Sequence, residues 1–300
     1  MSLSPVPALR AALQHEEGAP FDIKEMILHH LVDSHEIELP FGRVLHLPQF
    51  DPLHIGPLTV DLSITKHVFF MFVAAVLVAI LLISAARSAR KAHEAGAEVG
   101  PKGAANVVEA FILFLRDEVA LKNIGHGGEK YVPYIVSVFF FVLFCNLLGL
   151  VPWGASATGN ISVTAALAVM TFIIVEVAGM RALGAKGYLK TIFYAPEGMS
   201  PLMRIPMYLI MTPVEFLSKV TKPFALAIRL YANMTAGHAV VLALTGLIVT
   251  AVLGNVFWAA PAPLIMAVGI MILEIFVGVL QAYIFAMLSS VFIGLIRHAH

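Results

Sequence analysis

Pro223-Phe-Ala-Leu-Ala-Ile-Arg-Leu-Tyr-Ala-Asn-Met-Thr-Ala-Gly-His238 lies inside an apolar stretch running from Pro206 to Leu253, and at its centre stands one permanent cation, Arg229. A stretch of that length and apolarity belongs in a bilayer core, which a helix of roughly 20 residues crosses. A guanidinium does not shed its proton. Near the bilayer centre an arginine costs about 3 kcal/mol on insertion scales, so it requires an anion or a water-filled cavity. The segment therefore sets two conditions: a helical membrane fold, and a partner that faces Arg229.

The composition agrees with the first condition. Hydrophobic residues make up 59% of the 300, charged residues only 13%, which excludes an ordinary soluble balance. The mean hydropathy of +0.89 points the same way. The single cysteine, Cys145, sits in an apolar run and leaves neither a disulfide framework nor a cysteine metal site. Formal net charge is zero, and no nucleic-acid partner is expected. The first 20 residues hold Glu16, Glu17 and three prolines, with no apolar core for a cleavable signal, so the N-terminus is expected to be retained.

The expected fold class is an all-α integral membrane protein with five crossings and one interfacial helix. Residues 1–66 are polar and mixed, with Pro40, Pro48, Pro52 and Pro57 breaking any long helix, and read as an extramembrane arm preceding a membrane domain over 67–300. Val68 to Ala86 is the first crossing. Lys102 to Leu121 places Val107, Val108, Phe111, Ile112, Leu115 and Val119 near helical spacing, with Glu109, Arg116, Asp117 and Glu118 on other faces, a pattern for a helix lying in the interface. Val132 to Val151 and Ile161 to Met180 form a hairpin (132–180) through Pro152 to Gly159. Pro206 to Leu253 and Pro263 to Ile296 form a second (206–296) through Gly254 to Ala262. At 1.5 Å per residue the longer member is on the order of 70 Å, so it must tilt strongly, break or lie partly along the membrane.

Basic residues orient the chain. Arg87, Arg90, Lys91 and Lys102 follow the first crossing, Arg181, Lys186, Lys190 and Arg204 follow the third, and Arg297 stands near the C-terminus. These ends are expected on the cytoplasmic side. The two turns carry no Lys or Arg, and the arm holds four basic against nine acidic residues. The N-terminus is then external and the C-terminus cytoplasmic.

At 100° per residue, Glu215, Ser218, Lys222, Arg229 and Asn233 fall within about 60° of one another, while His238 is rotated by roughly 180° from Arg229. Glu274 and Gln281, seven apart, share a face of the last helix. Lys219, Lys222 and Glu215 near a helix end also fit side chains that snorkel to water without any function. A structural ion pair between Arg229 and Glu274, or a hydrogen-bonded core histidine at 238, would be the bland account of the rest. The sharper account is that His238 and Glu274 form an intramembrane titratable pair of the kind from which proton relays are built.

Four segments carry a family resemblance: Pro223 to His238, the Glu274 to Gln281 spacing, Phe144-Cys-Asn-Leu-Leu-Gly-Leu-Val-Pro152, and Arg116-Asp-Glu through Gly125-His-Gly-Gly-Glu-Lys130. Together they resemble the a subunit of F-type ATP synthase over about residue 66 to the C-terminus, with the Arg-Leu-Tyr-Ala-Asn-Met core the most specific. Bacterial relatives often carry a glutamate nine residues after the arginine and a histidine seven before the glutamine. His238 and Glu274 reverse that arrangement, as mitochondrial members do, and keep one acid and one imidazole.

The resemblance implies a stator subunit of the Fo motor in a bacterial inner membrane. Arg229 would face a rotating ring of c subunits, whose carboxylates supply its anion, and would block a proton short circuit. The last two helices would tilt and wrap that ring. Asn233, His238, Glu274 and Asn160 would belong to an external half-channel, Gln281 would hold Arg229 in place, and Glu215, Ser218 and Glu176 would line a cytoplasmic half-channel. Implied partners are the c-ring, b-type peripheral stalk subunits, the rest of the F1Fo complex and membrane lipid. No catalytic residue, cofactor or metal is implied; ATP chemistry belongs to other subunits.

A secondary ion- or proton-coupled transporter would also bury Arg and Glu, but such folds usually show internal repeats, and none is visible here. An intramembrane metalloprotease would need a motif such as His-Glu-x-x-His, which is absent from the sequence. His29, His30 and His35 lack clear ligand spacing and read as solvated.

Overall fold

The structure, a computed structural model, describes residues 23, 24, 27, 32–39, 43–49, 53–55, 58–60, 63–94, 104–151, 154–193 and 201–298. Among them are two short antiparallel hairpins, β1 (Glu36–Leu39) with β2 (Arg43–His46) and β3 (Leu53–Ile55) with β4 (Leu58–Val60). Register in the first runs from Glu36 opposite His46 to Leu39 opposite Arg43. The arm thus contains strands as well as the proline breaks read from its sequence.

Six helices of more than ten residues follow: α1 (Lys66–Glu94), α2 (Ala104–Phe114), α3 (Val132–Leu150), α4 (Ile161–Ile192), α5 (Pro201–Leu253) and α6 (Pro261–Arg297). Five helical stretches are long and apolar enough to cross a membrane: Lys66–Lys91, Gly128–Leu150, Ile161–Thr191, Ile205–Leu253 and Phe257–Arg297. This is a multi-pass membrane architecture, helical apart from the two hairpins of the arm. Helix α2 runs on into a π-helical turn, Leu115–Leu121, and a last turn, Lys122–Ile124.

Local chemistry sets the boundaries. Asn160 caps α4, its Oδ1 accepting from Ser162 N at 2.9 Å, the usual answer to the orphan donors of a helix start. Helix α4 continues past Met180 and is kinked at Gly184, whose φ of 70° only glycine adopts cheaply. Helix α5 stays continuous over 53 residues with Pro206, Pro213 and Pro223 inside it, which excludes a break among the options its length allowed. Such a helix is on the order of 80 Å long at 1.5 Å per residue. It ends at Gly254 and at Asn255, whose φ is 57°, a left-handed conformation that asparagine tolerates better than most residues.

The chain divides into two compact units, one formed from residues 1–72, 146–159 and 232–278, the other from 73–145, 160–231 and 279–300. In the first, the arm ties itself to the start of α1: Lys66 N donates to Ser34 O at 2.8 Å, His67 N to Asp33 Oδ1 at 3.4 Å, and His35 Nδ1 lies 3.3 Å from Ile64 O. In the second, the segment after α2 meets the end of α6. Asn123 Nδ2 donates to Ser290 Oγ at 3.2 Å, and Arg297 Nη2 to His126 O at 2.7 Å. Leu115, Val119 and Ile124 are fully buried there, whereas Val107 and Phe111 are exposed. Large apolar side chains also cover the open faces of α5 and α6, among them Leu209, Phe216, Ile265 and Phe276.

Candidate functional site: two polar clusters and an exposed arginine

In the first unit, α5 supplies His238 and α6 supplies Glu274, with His238 Nδ1 2.6 Å from Glu274 Oε1. Both are drawn in, the glutamate to 5% exposure. The approach needs a glycine at 237, since a Cβ there would lie 2.8 Å from the same carboxylate oxygen. On its other side the imidazole meets a carbonyl: His238 Nε2 lies 2.8 Å from Gly149 O. A Cβ on Gly149 would stand 2.9 Å from Nε2 and overlap Ser156, so this contact too depends on a missing side chain.

These partners settle where protons sit. A carbonyl only accepts, so Nε2 carries a hydrogen and donates to Gly149. The remaining position, Nδ1, has two acceptors, Met234 O at 3.1 Å, to which it is aligned, and the closer Glu274 Oε1, which lies off that direction. Nδ1 thus stands between a carbonyl it is aligned on and a carboxylate oxygen 2.6 Å away that has no hydrogen-bond partner of its own. A small rotation of the ring re-aims Nδ1 between its two acceptors.

A neutral network holds this pair's surroundings rigid. Asn146 Nδ2 donates to Gly278 O at 3.0 Å, one turn of α6 beyond Glu274, while Asn146 Oδ1 accepts from Thr158 Oγ1 at 2.7 Å and Thr158 meets Ser156 at 2.7 Å. All four residues of the turn from Ala155 to Thr158 are buried, so this connection is packed against helices. His67, 7% exposed at the start of α1, donates Nδ1 to Ser156 O at 2.9 Å.

The second unit holds a different cluster. Glu176 of α4 and Lys219 of α5 form an ion pair at 3.7 Å, with side chains 13% and 11% exposed. Lys219 Nζ also donates to Tyr188 Oη at 3.3 Å and stands 4.4 Å from that ring's centre. Lys219 therefore does not snorkel; its charge is compensated inside the protein. Beside the pair lies a cavity of about 120 Å³, lined by Glu176, Glu215, Lys219 and Lys222 together with apolar side chains of α4, α5 and α6. Ser218 does not line it, and its carbonyl accepts from Thr221 Oγ1 at 3.2 Å. Lys222 stands 5.7 Å from the Phe292 ring centre, within reach of a cation–π contact.

Arg229 belongs to neither cluster. Its side chain is exposed, and among the described residues it makes no hydrogen bond or ion pair. Leu226, Ala227 and Leu230 on the same turns are buried, so α5 turns its packing face inward and presents Arg229 on the outside. The structural ion pair with Glu274 is thus absent. Gln281 is 2% exposed and is not hydrogen-bonded to Arg229 among the described residues. Asn233 is exposed, and Asn160 serves as the cap of α4.

Reading the sequence alone missed His67, Asn146, Ser156 and Thr158, and gave Lys219 only as a side chain that could snorkel. The serine and threonine lay in what read as a surface turn, and only packing reveals that they are buried. His29 and His30 lie outside the described residues, as do Lys102, Pro152 and Trp153. Among the described residues no group of three or more His, Cys, Asp or Glu could hold a metal ion.

Comparison with known proteins covers nearly the whole of this architecture. Residues 68–294 match the family model described as ATP synthase A chain. The chain is 44% identical to ATP synthase subunit a 2 of Chlorobaculum tepidum over 272 residues, covering 90% of this chain and 72% of that one. It is 44% identical to ATP synthase subunit a of Chloroherpeton thalassium, covering 89% and 75%. With ATP synthase subunit a of Pelodictyon phaeoclathratiforme it shares 45% identity, covering 98% and 82%.

Proposed function

This chain belongs to the ATP synthase A chain family, the stationary proton-channel subunit of the membrane Fo sector, and we propose that Arg229 is the fixed cation past which the ring carboxylates move. The observation that carries the reading is an exposed guanidinium on an apolar helix with no partner among the described residues of its own chain. Its anion then comes from the c-ring. An opposite charge within a few ångströms favours an ionised carboxylate. A site passing Arg229 therefore releases its proton, and no proton crosses directly.

Two polar clusters support two half-channels. His238 and Glu274, with Asn233 and Asn160, form the external one, where a proton enters the ring. Glu215 and Glu176, with Ser218 behind them, form the cytoplasmic one beside the cavity of about 120 Å³. Gln281 orders the surroundings of Arg229. Because each path reaches only part of the way, a proton must ride the ring between them, and rotation follows. Residues 1–66 act as an external arm to the membrane domain 67–300. The N-terminus is outside and the C-terminus inside a bacterial inner membrane. Long α5 and α6 wrap the c-ring, and b-type stalk subunits hold the stator within the F1Fo complex.

Arg229→Ala in a reconstituted complex is expected to abolish ATP-driven proton pumping and ATP synthesis. Coupled pumping retained by that variant would overturn the role. A secondary transporter would move its ion as a purified chain, whereas this subunit is expected to conduct nothing without its ring.

A further inference from the structure

The His238–Glu274 pair has a neighbour that the half-channel reading leaves unused. His67, in the first turn of α1, is 7% exposed, and its Nδ1 donates to Ser156 O at 2.9 Å. His67, Ser156, Thr235 and His238 line one cavity of about 40 Å³. A water needs some 10–15 Å³ of such space, so the cavity has room for on the order of two or three.

Two histidines on one small cavity are more than the fold requires. Asn146, Thr158 and Gly278 already hold the turn and α6 together. Packing alone would be served at position 67 by an amide that donates to Ser156. An imidazole there adds a ring nitrogen that can take up and release a proton, which an amide cannot. With Nδ1–H committed to a carbonyl, the neutral ring keeps its lone pair on Nε2.

We propose that His67 is a second proton-holding residue of the external path, taking a proton at Nε2 from outside water and returning it from the same atom to the cavity water that serves His238 and Glu274. This rests on the half-channel reading above. Only N–H and O–H bonds change: Nδ1 keeps its hydrogen on Ser156, and the net transfer is one proton from outside water to the Glu274–His238 pair. The titratable and charged groups acting on His67 are Asp33 in the arm, Lys66 beside it on α1 and His238 of α5. The Asp33 carboxylate also accepts from His67 N at 3.4 Å.

The test uses the intact complex in liposomes, with proton conduction measured against pH. His67→Asn keeps an amide N–H for Ser156 but cannot hold a proton. It is expected to conduct roughly tenfold more slowly than the parent and to lose the near-neutral limb of the pH profile. His67→Ala is expected to slow conduction similarly, and added imidazole to restore it. Wild-type conduction by H67N at every pH would overturn the proposal. So would a slowed variant whose profile keeps its shape and whose alanine counterpart ignores imidazole, because the ring would then only position the turn. Should H67N fail to assemble with the c-ring, His67→Gln is read by the same criteria, and assembly failure of both would assign His67 to the fold and also overturn the proposal. A parent complex that conducts no protons would instead refute the half-channel reading itself.

Discussion

The His238–Glu274 cluster and the Glu176–Lys219 cluster each place one carboxylate beside one nitrogen base inside an apolar protein, yet they are built for opposite ends. At the first, an imidazole nitrogen and a carboxylate oxygen stand 2.6 Å apart, and fixed carbonyls at Gly149 and Met234 hold the ring without supplying a charge. At the second, a lysine pairs with Glu176 at 3.7 Å and donates one hydrogen bond to Tyr188 Oη. The first pair is poised to pass a proton on. A lysine set 3.7 Å from a carboxylate and against a tyrosine ring holds a cavity wall in place. The comparison teaches that an Asp or Glu in a membrane helix is read by the mobility of its partner's proton.

The largest effect should come from breaking the fixed pair. Lys219→Met leaves Glu176 uncompensated and is expected to destabilise the subunit by about 3–5 kcal/mol, read as loss of thermal stability of the complex, with Glu176→Gln in the same chain recovering much of it. Strict additivity of the two would show that they are not coupled. At the mobile pair, Glu274→Ala or His238→Ala is expected to slow proton uptake from outside by on the order of 100-fold while ATP hydrolysis by the catalytic sector persists. Joining His238→Glu to Glu274→His should recover more activity than either swap alone, and independent effects would separate the two groups. Asn146→Ala removes one hydrogen bond to Gly278 O and one from Thr158 Oγ1, which keeps Ser156, and is expected to cost about 1–3 kcal/mol and to slow uptake less than either change at the pair itself.

At the small end stands Lys122, whose exposed ammonium is held above its ordinary value by the hydrogen bond and charge of Glu118. Its folded value is raised, so any stabilisation is present below the unfolded value and is lost as pH rises through the folded one. At full exposure solvent screens it, and Lys122→Ala is expected to leave the melting temperature unchanged at neutral and alkaline pH. A measurable fall would mean that the π-helical turn before it depends on this contact.

Much of the fold was legible because membrane helices announce themselves by length and apolarity, and the five crossings follow from hydropathy alone. Helix ends were less so. Helix α1 continues to Glu94 and α4 to Ile192, through Arg90 and Lys190, because a helix outlasts the apolar core when its charged flank can reach water. Of the site, the His238–Glu274 approach could be anticipated from helical angles and the exchange of acid and imidazole. The buried turn at 155–158 could not, since small residues in a short connection look the same whether they face water or a helix.

Sequence alone determined the class, the crossing segments and the anomaly at Arg229, because hydropathy, helical periodicity and an undischargeable cation are properties of residues taken in order. Only the tertiary structure decided which polar groups meet. That Gly149 and Gly237 open the space for His238 and Glu274, that Lys219 is paired within the protein, and that His67 shares a cavity with His238 all depend on distances between segments far apart in the chain. A hydrogen bond or an ion pair is decided over a few tenths of an ångström, a scale that no pattern of residue types along a chain can encode by itself.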